Sequence, residues 1–526
     1  MGMGYNKRVA TKANLSKKQS VVALSVSTMW SKVFGFFREM LTAFYFGAGV
    51  IKDAFNVSQA IPSRIGSAFF GAINSSLVPY LIHLRTDEGE EAFWKAYSSI
   101  YRWLVTLLLV FTAFMMILPQ PFIAILAPGF YKDPQRLSLT MFFIRFTALI
   151  FLFQVLSSMQ ITLLQIFENF LPQIGINLFA SASGVLVLAL AGVLHGATPT
   201  TLALSALTTG FVTFGIAYYT ALPYKANFKP SGLWNKYVSD YLKFLLPVLA
   251  GQVIVISFTL VDQLMASFLP VGNISALNYA SLLYNLPITL FAGPITSVLY
   301  PAISNASANM DWSEQARTVG RGIQLIWLIV LPSAVGLAAL SLPIVKLVYM
   351  RGAFDITAAT LTSGALFFYA LGVPFLGVQS LLAMVFLAEK DNITPLKRNI
   401  FSIALNAFLN YFFGIRLHMN AAGFAIGTAI SWTILCLWLY VSWAHRHNIK
   451  IWNILKALWK STAASLLMLG VILLWQRYLP YEGLHLILLI AAAALVYFAS
   501  LLLLRDENMK DLTKQALNKV RSYLKR

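Results

Sequence analysis

The sequence predicts an all-α polytopic membrane protein with about fourteen transmembrane helices: two parallel six-helix lobes and two extra C-terminal helices. Three observations carry this. The 526 residues are 58% hydrophobic and 11% charged, with mean hydropathy +0.72, whereas soluble domains carry about 25% charged residues. Apolar runs long enough to span a bilayer recur to the end, as at 103–118, 325–342 and 486–504. An internal repeat relates the two halves.

The expected spans are 18–46, 53–84, 93–118, 136–167, 171–194, 199–223, 237–268, 274–305, 316–349, 357–388, 393–414, 421–444, 453–476 and 483–505. Connections are short, and none has room for a soluble domain. The basic first twenty residues meet no small-residue cleavage site, so the first run reads as a retained span. Residues 506–526 read as a basic surface helix.

Loop charge sets the expected orientation. Lys7, Arg8, Lys12, Lys17 and Lys18 precede the first span. Alternate loops then carry Arg85 and Lys95; Lys225, Lys229 and Lys236; Lys390, Lys397 and Arg398; Arg446, Lys450, Lys456 and Lys460. The opposite loops hold only Lys52, Lys132, Arg136, Arg351, Arg416 and Arg477. Positive-inside logic places both termini in the cytoplasm. The net charge of +20 is absorbed by the same logic, without nucleic acid as a partner.

The repeat pairs 71–79, Gly-Ala-Ile-Asn-Ser-Ser-Leu-Val-Pro, with 293–301, Gly-Pro-Ile-Thr-Ser-Val-Leu-Tyr-Pro, at an offset of 222. The same offset pairs Asn56 with Asn278, and an offset of 223 pairs 169–172 with 392–395. The unit is about six spans. An even number restores direction, so the lobes are parallel repeats, the plan of a transporter with its site near the midplane. The expected lobes are 1–223 and 224–446, followed by spans at 447–505 and the tail 506–526.

The stretch 31–56 carries the most informative charges. Lys32, Arg38 and Glu39 lie inside an apolar run, where each charge costs at least about 2.5–3.5 kcal/mol near a bilayer centre. Helical spacing puts Thr28, Lys32, Gly35, Glu39 and Thr42 on one stripe, with Ser27, Ser31 and Arg38 roughly 100° to one side. A polar, cationic sector this long suits a water-filled cavity.

Catalytic chemistry finds no foothold. His83, His195, His418, His445, His447 and His485 form no metal-ligand spacing, and His445 and His447 read as solvated loop charges. Cys436 is the one cysteine, and no Gly-rich phosphate loop marks a nucleotide site. The chain reads as no enzyme. Asp262 in the seventh span, Asn406 and Asn410 in the eleventh and Thr428 in the twelfth offer one carboxylate with amide and hydroxyl oxygens. That set suits a hard monovalent cation, so sodium, or a proton on Asp262, is the expected coupling ion.

The motifs Ser31-Lys32-Val33-Phe34-Gly35-Phe36-Phe37-Arg38-Glu39, Phe46-Gly47-Ala48-Gly49, Asp53-Ala54-Phe55, Ala127-Pro128-Gly129-Phe130, Ser275-Ala276-Leu277-Asn278-Tyr279-Ala280 and Arg351-Gly352-Ala353-Phe354 occur in order. In these the chain resembles the MurJ (MviN) lipid II flippases of the multidrug/oligosaccharidyl-lipid/polysaccharide transporter superfamily. The resemblance implies a V-shaped pair of lobes around a cationic cavity, and a lipid-tail groove made with the last two spans. It implies transfer of the undecaprenyl-pyrophosphate-linked disaccharide-pentapeptide to the outer leaflet of the bacterial inner membrane. The partners so implied are the lipid-linked glycan and membrane lipids, with the protein a monomer. By position, Arg38 matches a cavity arginine, Lys32 replaces another, and Asp53 matches an outer acidic position. The second-span arginine falls on Gly66, with Arg64 two residues earlier; the eighth-span arginine falls on Leu282, and the acidic residue after it on Asn285. The substrate-binding candidates are Lys32, Arg38, Glu39, Asp53, Asn56, Arg64 and Asn278. A flippase for another lipid-linked glycan stays open, and a multidrug exporter is the further alternative.

Overall fold

The computed structural model describes residues 17–225, 228, 232–449 and 451–505. Among them there is no strand, and the chain forms fourteen long helical segments. These are α1 (Lys17–Phe46), α2 (Val50–Asp87), α3 (Glu90–Ile117), α4 (Pro134–Ile166), α5 (171–195), α6 (Pro199–Lys225), α7 (Lys236–Ala266), α8 (Asn273–Ala308), α9 (Trp312–Ala339), α10 (Ile356–Ala388), α11 (393–416), α12 (Asn420–Arg446), α13 (Ile451–Tyr478) and α14 (Leu484–Leu503). Eleven are long and apolar enough to cross a membrane by length and composition. The others, α1, α7 and α11, each carry several charged residues, so the expected count of fourteen crossings goes beyond that set. The basic N-terminus up to residue 16, Lys229, Lys450 and the tail 506–526 lie outside the described residues.

Helix ends follow local chemistry. Asp133, Asp311 and Asp355 cap α4, α9 and α10 by accepting backbone N–H bonds in the first turn. Gly47 takes φ 57° just after α1, a conformation that favours glycine. The expected span 316–349 is corrected: α9 stops at Ala339, and a separate short helix runs Ser341–Tyr349. Pro343 explains the break. It has no N–H for the Ala339 carbonyl, and its ring clashes with that carbonyl in a continuous helix.

Two compact units divide the chain, Met1–Leu260 and Val261–Arg526, with the division inside α7. In the first, Phe46, Phe55, Phe143, Leu188 and Leu202 join α1, α2, α4, α5 and α6 in one buried cluster. In the second, Val319, Ile326, Leu381, Val385, Leu439 and Trp443 knit α9, α10 and α12. Leu328, Ala464, Met468, Leu486 and Tyr497 then dock α13 and α14 on α9. Tyr497 adds a hydrogen bond to the Leu328 carbonyl at 2.5 Å.

The repeat has a structural counterpart. Segments of π-helix interrupt α2 (Ile61–Gly66), α5 (Ile176–Ala180), α8 (Ile288–Ala292) and α11 (Asn410–Arg416). These are the second and fifth helices of each six-helix set. Each π turn shifts the register of the residues after it, and such turns favour functional sites.

Candidate functional site

The polar sector of α1 divides between two neighbours. At its N-terminal end it is helix–helix glue. Asn177 of α5 donates to Ser27 and Thr28 at 3.2 and 3.1 Å, and Ser31 and Ser181 hydroxyls meet at 2.6 Å. Those positions are therefore taken by α5, a correction to the reading of one continuous cavity face. Lys32 on the next turn is exposed.

Further along, Glu39 turns to α2. Lys52 donates from Nζ to Glu39 Oε2 at 2.7 Å, while Arg38 Nη2 stays 4.0 Å from Glu39 Oε1. The Lys52 side chain is 0% exposed, Glu39 13% and Arg38 34%. Lys52 is thus no outer-loop charge, as counting loop residues had it; it is buried in the first turn of α2. Asp53 beside it is buried as well. Asn56 and Gln59 follow Lys52 at i+4 and i+7, on one face of the helix. Their Asn56 Nδ2 and Gln59 Nε2 atoms are buried donors without a hydrogen-bond partner. Such donors are costly unless an acceptor reaches them.

Arg64 lies within the π segment of α2. Its Nη1 donates to the Thr259 carbonyl of α7 at 2.7 Å, both residues in the first unit. Gly66 faces α4: a Cβ there would lie 2.8 Å from Gln154 Oε1. An arginine at that position would therefore point into helix packing. Asn74 is likewise glue, donating to Gln165 Oε1 at 2.8 Å, and Arg145 Nε reaches the Met116 carbonyl at 3.3 Å. In the second unit Asn278 is half-buried on α8, and Asn285 donates to the Ser281 carbonyl of its own helix at 2.7 Å.

The four residues read from sequence as a cation set come together in the second unit. Asn410 Nδ2 donates to Asp262 Oδ1 at 2.6 Å and to Asn406 Oδ1 at 3.1 Å. Asn406 Nδ2 donates to Thr428 Oγ1 at 3.1 Å. Two glycines allow this. A Cβ on Gly423 would lie 2.5 Å from Gly414 N, so α11 and α12 touch backbone to backbone. A Cβ on Gly427 would lie 2.6 Å from Asn410 Oδ1. Asn410 stands where α11 passes from α to π, and its Oδ1 is buried without a hydrogen-bond donor. Lys346 pairs elsewhere, with Glu482 at 3.0 Å.

A second polar cluster closes one end of this unit. Arg446 bonds Glu389 Oε2 at 2.9 Å and Asp391 Oδ2 at 2.5 Å, and His447 Nε2 meets Glu389 Oε1 at 2.9 Å. The His447 side chain is 5% exposed and its ring lies against Trp312, tilted with centroids 4.4 Å apart, which corrects its reading as a solvated loop charge.

Many crossing-length apolar helices, repeated π-interrupted helices and charged side chains buried among them mark a polytopic membrane protein on the plan of a transporter. The lipid II flippase MurJ family model matches residues 42–493. The chain belongs to that family. It is 29% identical over 490 residues to the probable lipid II flippase MurJ of Aquifex aeolicus, covering 92% of this chain and 94% of the relative. To the corresponding Thermotoga maritima protein it is 27% identical over 509 residues, covering 95% and 99%. Among solved structures it matches lipid II flippase MurJ in an inward closed conformation with TM-score 0.79 and 26% identity, covering 92% of this chain and 99% of that one. An inward-facing multidrug resistance MATE transporter of the MOP superfamily shares the fold at TM-score 0.65 and 14% identity, covering 82% and 98%.

Proposed function

We propose that this chain is a lipid II flippase. It is a transporter and not an enzyme, acting as a monomer in the bacterial cytoplasmic membrane with both termini in the cytoplasm. It passes the undecaprenyl-pyrophosphate-linked peptidoglycan precursor from the inner to the outer leaflet by alternating access. The observation that carries this reading is the cationic site on α1. Arg38 and Lys32 keep exposed surface within an apolar helix, and Asn56 and Gln59 offer buried donors without acceptors close by in sequence to Asp53. A pyrophosphate supplies negative oxygens, and the planar guanidinium fork suits them. The isoprenoid tail can stay in lipid while the headgroup crosses.

Asp262, Asn406, Asn410 and Thr428 would hold a monovalent cation. The orphaned Asn410 Oδ1, on the amide whose Nδ2 meets the Asp262 carboxylate, supports this, because both oxygens gain from a positive charge. A bound sodium ion would supply that charge and couple the transport cycle to its gradient.

The test is complementation of cells depleted of their lipid II flippase, with lipid II in each leaflet measured. Wild type should prevent lysis and restore outer-leaflet lipid II. Failure to complement, with deletion of the protein from its own host leaving viable cells that lack only a capsule or other surface polymer, would assign a different lipid-linked glycan.

A further inference from the structure

Arg38 and Glu39 are neighbours in sequence, and a lone ion pair between them would cancel the charge that an anionic headgroup needs. The structure shows how this is avoided. Adjacent helical residues point about 100° apart and do not face each other. Glu39 faces α2, where Lys52 Nζ donates to it at 2.7 Å, and Arg38 is left at 4.0 Å from the carboxylate. We propose that Lys52 is a tethered counter-ion for Glu39, a positioning residue that keeps the Arg38 guanidinium available to the substrate pyrophosphate. The inference rests on the anion-site reading above.

Two further observations support the assignment. Lys52 has no exposed surface, so it acts on a ligand only through its neighbours, whereas Arg38 retains 34%. The repeat also sets the two units against each other. An offset of 223, which also carries Gly49 ahead of α2 onto Gly272 ahead of α8, carries Glu39 onto Asp262 and Lys52 onto Ser275; the offset is 222 again by Asn56. In the second unit the carboxylate is met by the Asn410 amide; the residue at the matching place in the first unit is Val187. The first unit thus lacks that amide and has an ammonium of its own. One repeat pairs its carboxylate with a built-in lysine, and the other meets it with an amide. Charge follows the same division. With Glu39 balanced by Lys52, Lys32 and Arg38 remain as the two positive charges of α1 beyond Lys17 and Lys18 of its first turn, a match for a pyrophosphate diester.

The experiment is a double-mutant cycle on the purified full-length protein in lipid nanodiscs, with undecaprenyl pyrophosphate as the probe. Lys52→Met should weaken probe binding about tenfold, because Arg38 then turns to Glu39. The same substitution in a Glu39→Gln background should change affinity less than about twofold, since no carboxylate remains to compete. Lys52→Arg should bind like wild type. Should Lys52→Met fail to insert, Lys52→Gln, which keeps a donor without the charge, takes its place with the same expectation. Equal losses in both backgrounds, or no loss in either, would overturn the inference, because a scaffold or bystander lysine gives no coupling to Glu39. The readouts separate this from the broader reading. Wild-type protein that binds the probe but moves no lipid II removes the substrate assignment and leaves the Lys52 result standing. Wild type that does not bind the probe removes both.

Discussion

Asn410 donates to Asp262 Oδ1 at 2.6 Å while its own Oδ1 is buried without a donor. The pair therefore offers one satisfied contact and one oxygen that a cation would complete. Asn406 and Thr428 extend the same chain of hydrogen bonds onto α12. Sodium should raise the thermal stability of the wild type in a saturable way, with potassium or choline at equal ionic strength as the control. A site filled to a hundred times its dissociation constant adds about 2.7 kcal/mol. Asp262→Asn should abolish the sodium-specific part. A sodium response unchanged by that substitution would rule the site out.

Arg38→Ala should reduce lipid II transport to background while membrane insertion stays normal. The guanidinium is partly exposed and its contact with Glu39 is long, so little folding energy depends on it. Lys32→Arg should be tolerated, because the residue is exposed and either side chain supplies the charge. Leaflet-resolved lipid II, measured together with protein level, checks both. Full activity of Arg38→Ala at normal expression would remove Arg38 from the site.

Much of this was legible in the sequence, and the failures have identifiable physical causes. Hydropathy located most helix ends within a few residues, because the bilayer demands long apolar runs. It missed the break at Leu340, where Pro343 interrupts an otherwise continuous apolar pattern. The π segments leave no mark in apolar periodicity, and they set the register around Arg64 and Asn410. The grouping of Asp262, Asn406, Asn410 and Thr428 was legible because oxygen-bearing side chains stand out in apolar helices. The α1 stripe was read too generously: Ser27, Thr28 and Ser31 serve α5, and a single sequence does not reveal which neighbour takes a polar face. Lys52 was missed because it follows a Gly-Ala-Gly turn and reads as a loop charge. The signal that could have found it is the adjacent Asp53 in a turn that must re-enter the membrane.

The clamp at the end of α12 predicts a pH dependence with a definite sign. Burial pushes the Asp391 carboxyl up, but the Thr394 backbone N–H and the Arg446 guanidinium outweigh it and pull it from its ordinary 3.8 down to about 2. A carboxyl depressed in the folded state contributes stability that is fully present above its unfolded value and is lost as pH falls through the folded value. Arg446→Gln should therefore destabilise at neutral pH, by ~1 kcal/mol for a partly exposed network. The gap from wild type should begin to close below pH 3.8 and shrink towards pH 2. Thermal unfolding of both proteins across that range measures it. A gap independent of pH would assign the effect to packing over Phe386, where the guanidinium lies 5.3 Å from the ring centroid.

Gly427→Ala tests the geometry of the proposed cation set without substituting a candidate ligand. The added methyl would lie 2.6 Å from Asn410 Oδ1 and 3.2 Å from both Asn410 N and Leu409 Cβ. Two of these three atoms belong to backbone or to a Cβ, which cannot swing aside, so α11 and α12 must separate or Asn410 must turn. Overpacking of this kind costs about 1–3 kcal/mol. Gly320→Ala on α9 is the control, because a Cβ there meets nothing within 4 Å. Helix propensity alone should then stabilise it by roughly 0.5–1 kcal/mol. Gly427→Ala should lower stability and also blunt the sodium-specific shift, since displacing Asn410 breaks its contact with Asp262 and moves its orphaned oxygen. Lower stability with an intact sodium response would show that Asn410 Oδ1 is not among the ligands and would leave Asp262, Asn406 and Thr428 to hold the ion without it.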